Sequence, residues 1–346
     1  MQNSRISDLN DIVLLSGINL KRNFADILFP GKLEGEQLSA IREDLLKTLA
    51  DRFPGVRLDK RAVKHDDSRS LHELCEEACF YDDDGDEDDE TEGALRVSLA
   101  GSTRLSVTIN RGDHLNFSAF IQGSDIQHVP GIILPMEKAL SRDRSYAFDK
   151  NWGYLTSSVK YTGNALTGMH LLQLTGLNRM GLLDDERESL KGRHMELKRL
   201  FGDDEDDCEL FCLYGGQQLG KSAADVLQEL RSTAEELCYR EKDALEELIY
   251  DDTDDFADSV MRALGILMNA RLMDFEEFLG MYADVRAGIS TGFAEGSLKD
   301  IDDIAREVSP EEIRRNYPDI DDRDEELIRA DICRRRFSER LKTIKI

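Results

Sequence analysis

The spacing of hydrophobic positions changes along the chain. Residues 11–20 (DIVLLSGINL), 94–100 (ALRVSLA), 104–110 (RLSVTIN) and 114–123 (HLNFSAFIQG) are rich in β-branched and aromatic residues and predict strands. Gly101-Ser102, between the second and third, reads as a hairpin turn. Strands in direct succession predict an antiparallel meander, not the βαβ order of a nucleotide-binding fold. Elsewhere apolar residues return every three or four positions. Leu38, Ile41, Leu45 and Leu49 predict a helix over 34–52, and Ile133, Met136, Leu140 and Tyr146 another over 130–147. From about 223 the helical period is nearly continuous. Val226, Leu230, Leu237, Leu245 and Leu248 precede the acidic break DDTDD at 251–255, and Val260, Leu264, Leu267 and Leu272 follow it. The pattern predicts an α+β domain over 1–245 and a helical domain over 246–346.

The 346 residues, 40% of them hydrophobic, can bury a sizeable core. Lys and Arg number 45 against 71 Asp and Glu, a net charge of -26 that repels polyanions at long range, so no nucleic-acid partner is expected. No basic segment followed by an apolar stretch opens the chain, and no window reaches about 18 consecutive apolar residues. A cytoplasmic protein with no membrane partner is expected. The six cysteines then read as reduced thiols. Cys75/Cys79 and Cys208/Cys212 are spaced to share helical faces, but without the closer Cys-x-x-Cys spacing they read as small buried side chains, and no metal site is expected. The acidic run 82–90 does not make an EF-hand loop, whose first and twelfth ligand positions would be Phe80 and Thr91. It reads as a solvated loop, like the acidic runs at 203–207, 251–255 and 319–326. Arg329, Arg334, Arg335, Arg336, Arg340, Lys342 and Lys345 suit a helix C-terminus paired with an acidic body.

Several blocks, in order, resemble the bacterial protein-arginine kinases (McsB-type) of the phosphagen, or ATP:guanidino phosphotransferase, family. Asp11 to Asn23 (DIVLLSGINLKRN) resembles the family's D-I-V-x-S-S-R-I-R-L-A-R-N, and Thr108 to Asn116 (TINRGDHLN) its V-N-E-E-D-H-L-R. Tyr146-Ala147-Phe148-Asp149 with Gly153 to Ser158 (GYLTSS) resembles F-A-F-D-x-x-x-G-Y-L-T-x-C, and Leu213-Tyr214-Gly215 the R-G-L-Y-G-E loop. Val260 to Arg271, Glu277-Phe278 and Val285 to Gly288 track the helical half. The resemblance implies an antiparallel sheet flanked by helices, a helical dimerisation domain, and transfer of the γ-phosphoryl group of Mg-ATP to a guanidinium nitrogen.

Phosphoryl transfer needs cations placed around the phosphates, and planar guanidinium groups suit them. At the positions where the resemblance implies those arginines stand Gly17, Asn19, Asn116, Thr167 and Phe211. No arginine lies between Arg144 and Arg179 or between Arg199 and Arg231, so sliding the register repairs neither of the last two. The acceptor-side glutamates become Arg111 and Gly112, the glutamate after L-Y-G becomes Gly216, and the reactive cysteine becomes Ser158. Arg22, Asp113 and His114 are retained. These changes read as drift in a site released from selection. Losing one transition-state cation costs on the order of 10²–10³ in rate, so the ancestral reaction is not expected. In the helical half the family's phosphoarginine site R-D-x-x-R-A is matched by Arg329-Ala330, and by Arg323 and Asp324 only if two residues are inserted; Glu325 and Glu326 otherwise take those places.

The expected function is therefore that of a catalytically inactive protein-arginine-kinase-like pseudokinase. It would serve as a scaffold or regulatory subunit, paired with itself or with an active protein-arginine kinase, and take no cofactor. The alternatives are a weak or altered ATP-dependent phosphotransferase, for which Mg-ATP would be the cofactor, and a phosphoarginine or peptide binder.

Overall fold

Ten consecutive residues, Val13–Arg22, are all buried and form β1, the strand around which the rest of the sheet is laid. The structure is a computed structural model describing residues 9–54, 58–62, 70–81, 94–99, 105–202, 208–216, 220–340 and 342–343. The turn expected at Gly101-Ser102 and the acidic runs 82–90 and 203–207 lie outside the described residues. The main strands are β2 (Leu58–Ala62), β3 (Leu95–Leu99), β4 (Leu105–Arg111), β5 (Asp113–Gln122), β8 (Leu166–Gln173), β9 (Met195–Arg199) and β10 (Leu210–Gly215). With β1 they make one eight-stranded sheet, ordered β2-β3-β4-β5-β1-β8-β10-β9, and every neighbouring pair is antiparallel. The two-residue strands β6 (Phe148–Asp149) with β7 (Gly153–Tyr154), and β11 (Ala294–Glu295) with β12 (Lys342–Thr343), form small ribbons.

The four expected strands are present within two residues of their expected ends. Sequence did not reveal β8 and β10 because they hold one β-branched residue between them, Thr167, and lack the composition that marked the equally buried β1 and β4.

The helices are α1 (Gly35–Arg52), α2 (Leu71–Phe80), α3 (Val129–Leu140), α4 (Thr175–Arg179), α5 (Leu183–Lys191), α6 (Ala223–Asp251), α7 (Thr253–Asn269), α8 (Phe275–Thr291), α9 (Leu298–Glu307), α10 (Pro310–Asn316) and α11 (Asp322–Arg340). Short sequence signals set several of their starts. Ser70 and Glu73 cap α2 reciprocally, as Ser222 and Asp225 cap α6. The helix expected over 130–147 stops at Leu140, because Tyr146 is needed elsewhere: it bridges Phe24 beside β1 and returns its hydroxyl to the carbonyl of Glu137.

The boundary expected at 245/246 falls inside α6, whose first turns pack on the sheet and which ends at Asp251. One buried apolar cluster runs from the sheet into the helical part. Arg286 of α8, 1% exposed, ties the two together. It donates to the carbonyls of Asn10 and Asp11, to Gln173 Oε1 of β8, and to Asp302 of α9. No described helix is long and apolar enough to cross a membrane.

Candidate active site cleft

The strand register decides which residues share a face. Gly17 stands opposite Phe120 and Met169, Asn19 opposite Ser118 and Thr167, and Lys21 opposite Asn116, so with a period of two these side chains line one face of the sheet. The other face carries Gly168, which packs against Leu227 and Leu230 of α6. Four of the positions implied for phosphate-binding arginines, Gly17, Asn19, Asn116 and Thr167, are thus brought together. The fifth is not: in the regular β10 register Phe211 alternates with Cys212 and faces the opposite side, fully buried with the Arg199 guanidinium stacked on it.

The shared face is filled by the protein itself. The Phe120 ring occupies the space over Gly17, where a Cβ would lie 2.4 Å from Phe120 Cδ1 and 2.5 Å from Cε1. Asn19 donates to Ser118. The buried Lys21 places its ammonium between the rings of Tyr81 and Tyr161, 5.1 and 4.4 Å from their centroids, and donates to the carbonyl of Phe80 and to Asn116 Oδ1, both at 3.1 Å. An internal cation with aromatic walls therefore takes up space on the face where external phosphate would have to be gripped.

Helix α2 lies against this face, held by charged pairs. Arg111 is 8% exposed, makes two parallel bonds to Glu77 at 2.8 and 2.9 Å, and stacks on Tyr81 with 3.4 Å from guanidinium carbon to ring centroid. Arg96 grips Glu76 in the same forked way. Burial pushes the Glu76 carboxyl up, against the opposing pull of Arg96. The cation at the implied acceptor-glutamate position is therefore a fastener for α2. Arg111, Asn116 and Gly17 are all built into the packing. Gly112, with φ +64°, makes the tight β4–β5 turn and accepts a hydrogen bond from the Ser157 hydroxyl.

The retained residues also have structural partners. Arg22 is buried against Glu137 at 2.7 Å and stacks on Tyr154. Asp113 accepts from Asn23 and from the Ser157 amide at 2.7 Å, tying the β4–β5 turn to the segment after β7. The His114 amide donates to Asn23 Oδ1, and its Nδ1 accepts from the Phe24 amide. Burial pushes the His114 imidazole down to about 4.

A cleft of about 520 Å³ remains at the β8–β10 end of the sheet, lined by Thr167 and Gly216 together with Cys79, Lys160, Tyr161, Lys191, His194, Met195, Glu196, Tyr214 and Gly215. Among the described residues no arginine lines it. Lys191 pairs with Glu188, and Lys160 lies over the edge of Tyr161, 5.6 Å from its centroid. A side chain at 216 would collide with the β8 backbone, its Cβ 2.2 Å from the Leu166 carbonyl, so the implied glutamate cannot be restored without moving β8. Ser158, half-buried, precedes the short turn 159–161. The donor set does not fit a Mg-triphosphate. Among the described residues no group of three or more His, Cys, Asp or Glu is placed to hold a metal ion. The residues that define the site most sharply, Lys21, Phe120 and Tyr81, were not singled out as site residues by the sequence, which placed Phe120 only within a strand and Lys21 only within the opening motif. The lysine standing where the family motif has alanine was its one visible signal.

In the helical part, Arg329 is 1% exposed and donates to the carbonyls of Val308 and Met273 and to Glu325, over the ring of Phe275. Glu325 also binds Arg314. Arg323 and Asp324 are exposed at the start of α11, where Asp324 donates its amide to Asp321. The three residues considered for phosphoarginine are not brought together. Other C-terminal cations pair with the acidic body: Arg336 with Glu307, and Arg340 with Asp300.

This sheet, covered on one face by α6 and carrying a cleft on the other, is the framework of a phosphagen-kinase catalytic domain. Residues 61–244 match the family model described as ATP:guanido phosphotransferase, C-terminal catalytic domain, and the chain belongs to that family. Residues 253–345 match the Protein-arginine kinase McsB C-terminal domain, which places the chain among the McsB-type bacterial protein-arginine kinases. The protein-arginine kinase of Bacillus velezensis is 26% identical over 294 residues, 84% of this chain and 80% of that protein. That of Caldanaerobacter subterraneus subsp. tengcongensis is 24% identical over 310 residues, 89% of this chain and 91% of that protein. Among solved structures, lombricine kinase superposes with a TM-score of 0.53 at 17% identity, covering 69% of this chain and 68% of its own. The substrate-free duplicated taurocyamine kinase of Schistosoma mansoni gives 0.54 at 15% identity, covering 77% of this chain and 40% of its own. At these identities the likeness is one of fold.

Proposed function

We propose that this chain is a catalytically inactive protein-arginine-kinase homologue, a cytoplasmic scaffold or regulatory subunit. It pairs through its helical part with a second copy or with an active protein-arginine kinase. The observation that carries this reading is the occupation of the phosphate-facing sheet surface by Phe120 over Gly17 and by the Lys21 ammonium between two tyrosines. A triphosphate needs several converging guanidinium groups in that space. Both the space and the groups have been given over to packing.

The test is calorimetric titration with Mg-ATP, together with an assay for phosphoarginine on a protein substrate. No saturable binding into the millimolar range and no phosphoarginine are expected. Saturable binding with protein-dependent arginine phosphorylation would establish the second reading, a weak phosphotransferase, which is favoured by one feature: the remaining cleft with Lys160 and Lys191 in its wall. Phosphoarginine binding through Arg329 is disfavoured because its donors are already engaged inside the protein.

A further inference from the structure

Three thiols meet on the cleft side of the sheet. Cys75 and Cys79 stand one helical turn apart on α2, and both lie within hydrogen-bonding reach of Cys212 on β10. Lys198 of β9 is the register partner of Cys212, which puts its side chain on the same face. All three cysteines are free and buried, yet Cys79 forms part of the cleft wall, so a molecule little larger than water meets this thiol first. The three are not placed to hold a metal ion. We propose that Cys79 and Cys212 form a peroxide-dependent disulfide that locks α2 onto the sheet.

The chemistry follows from the contacts. Burial pushes the Cys212 thiol up, but hydrogen bonds donated by Cys75 and Cys79 and the nearby Lys198 charge outweigh it and hold Cys212 well below an ordinary thiol. Burial and the neighbouring Cys212 push the Cys79 thiol well up, so Cys212 is the thiolate of the pair and Cys79 its proton-bearing donor. Cys212, as thiolate, attacks hydrogen peroxide that enters past Cys79 at the cleft wall. An S–O bond forms, the O–O bond breaks, and the departing hydroxide takes a proton to leave as water, giving a sulfenic acid. Cys79 then attacks the Cys212 sulfur; the S–S bond forms, the S–O bond breaks, and the Cys79 proton leaves with the hydroxide as a second water. Two thiols are oxidised and one peroxide is reduced to two waters. The product adds a covalent tie to a helix already fastened by Arg111–Glu77 and Arg96–Glu76. The latch is independent of whether the cleft turns over nucleotide.

The test uses the full reduced chain, treated with a small excess of hydrogen peroxide, alkylated after denaturation and mapped by peptide mass spectrometry. A Cys79–Cys212 cross-linked peptide is expected, together with a rise in melting temperature that a dithiol reductant reverses. In Cys208→Ala and Cys238→Ala variants the cross-link should form as in the parent chain. Six alkylated cysteines after treatment, oxidation to sulfonic acid without a cross-link, or a dominant cross-link through Cys75 would overturn the proposal. Mapping the parent chain keeps the result independent of whether a Cys79→Ala variant folds.

Discussion

Phe120 covers Gly17: on adjacent strands, directly paired in register, the ring stands where any side chain at position 17 would have to begin. The pair is a packed unit, and substituting either half disturbs the other. Gly17→Ala should cost about 1–3 kcal/mol through overpacking. Phe120→Ala should cost about 3–5 kcal/mol through the cavity it leaves. In the double variant the new methyl group enters that cavity, so its cost should fall below the sum of the two. Denaturant titration of the three variants measures this coupling; additive costs would refute the packed unit.

Arg111 and Glu77 allow a charge-reversal experiment. Arg111→Glu restores the family's acidic residue in name, but it sets two carboxylates face to face beneath α2 and removes the stack on Tyr81. A loss of about 3–5 kcal/mol is expected, with no phosphotransfer gained. Adding Glu77→Arg should recover part of that stability, and chemical denaturation of both variants reads the difference.

Arg329 and Arg323 should separate a structural arginine from a surface one. Arg329→Ala strands two buried carbonyls and part of Glu325's charge, and is expected to cost about 3–5 kcal/mol. Arg323→Ala should change stability by no more than about 0.5 kcal/mol. Thermal melts of the two check the contrast. Neither variant should alter affinity for free phosphoarginine, because none is expected.

Two buried histidines give the fold an acid limb. Burial pushes His114 down to about 4, and burial together with the Arg231 charge pushes His170 down to about 3, against an ordinary value near 6.5. Between those values and 6.5 the unfolded chain binds protons that the folded chain does not. Stability from these groups is therefore complete above pH 6.5 and is lost as pH falls toward 4 and then 3. The denaturant midpoint should drop between pH 7 and pH 5, and His114→Gln should make that drop shallower. An unchanged slope in the variant would remove His114 from the account.

Much of the architecture was legible along the chain. The edges of β1, β4 and β5 and the start of α1 followed from local composition, because β-branched and aromatic residues mark a strand and an amphipathic helix writes its period into neighbouring residues. The missing arginines were visible too, since a residue type at a motif position is a local fact. β8 and β10 were hidden because, unlike the equally buried β1 and β4, they are almost without β-branched residues. The end of α6 at Asp251 falls at the acidic break read at 251–255, whereas its passage across residue 245 was not legible, because a continuous helix carries the chain there.

What the sequence determined by itself is the inventory: a strand-rich start, a helical finish, and Gly17, Asn19, Asn116, Thr167 and Phe211 where the resemblance implies arginines. Only the tertiary structure decided what became of their space. Phe120 lies more than a hundred residues from Gly17 in the chain, Glu77 well before Arg111, and Tyr161 far beyond Lys21. The cleft filled through these contacts, which depend on sheet register and on where α2 is laid. Both are set by packing between distant segments, and neither leaves a mark on adjacent residues.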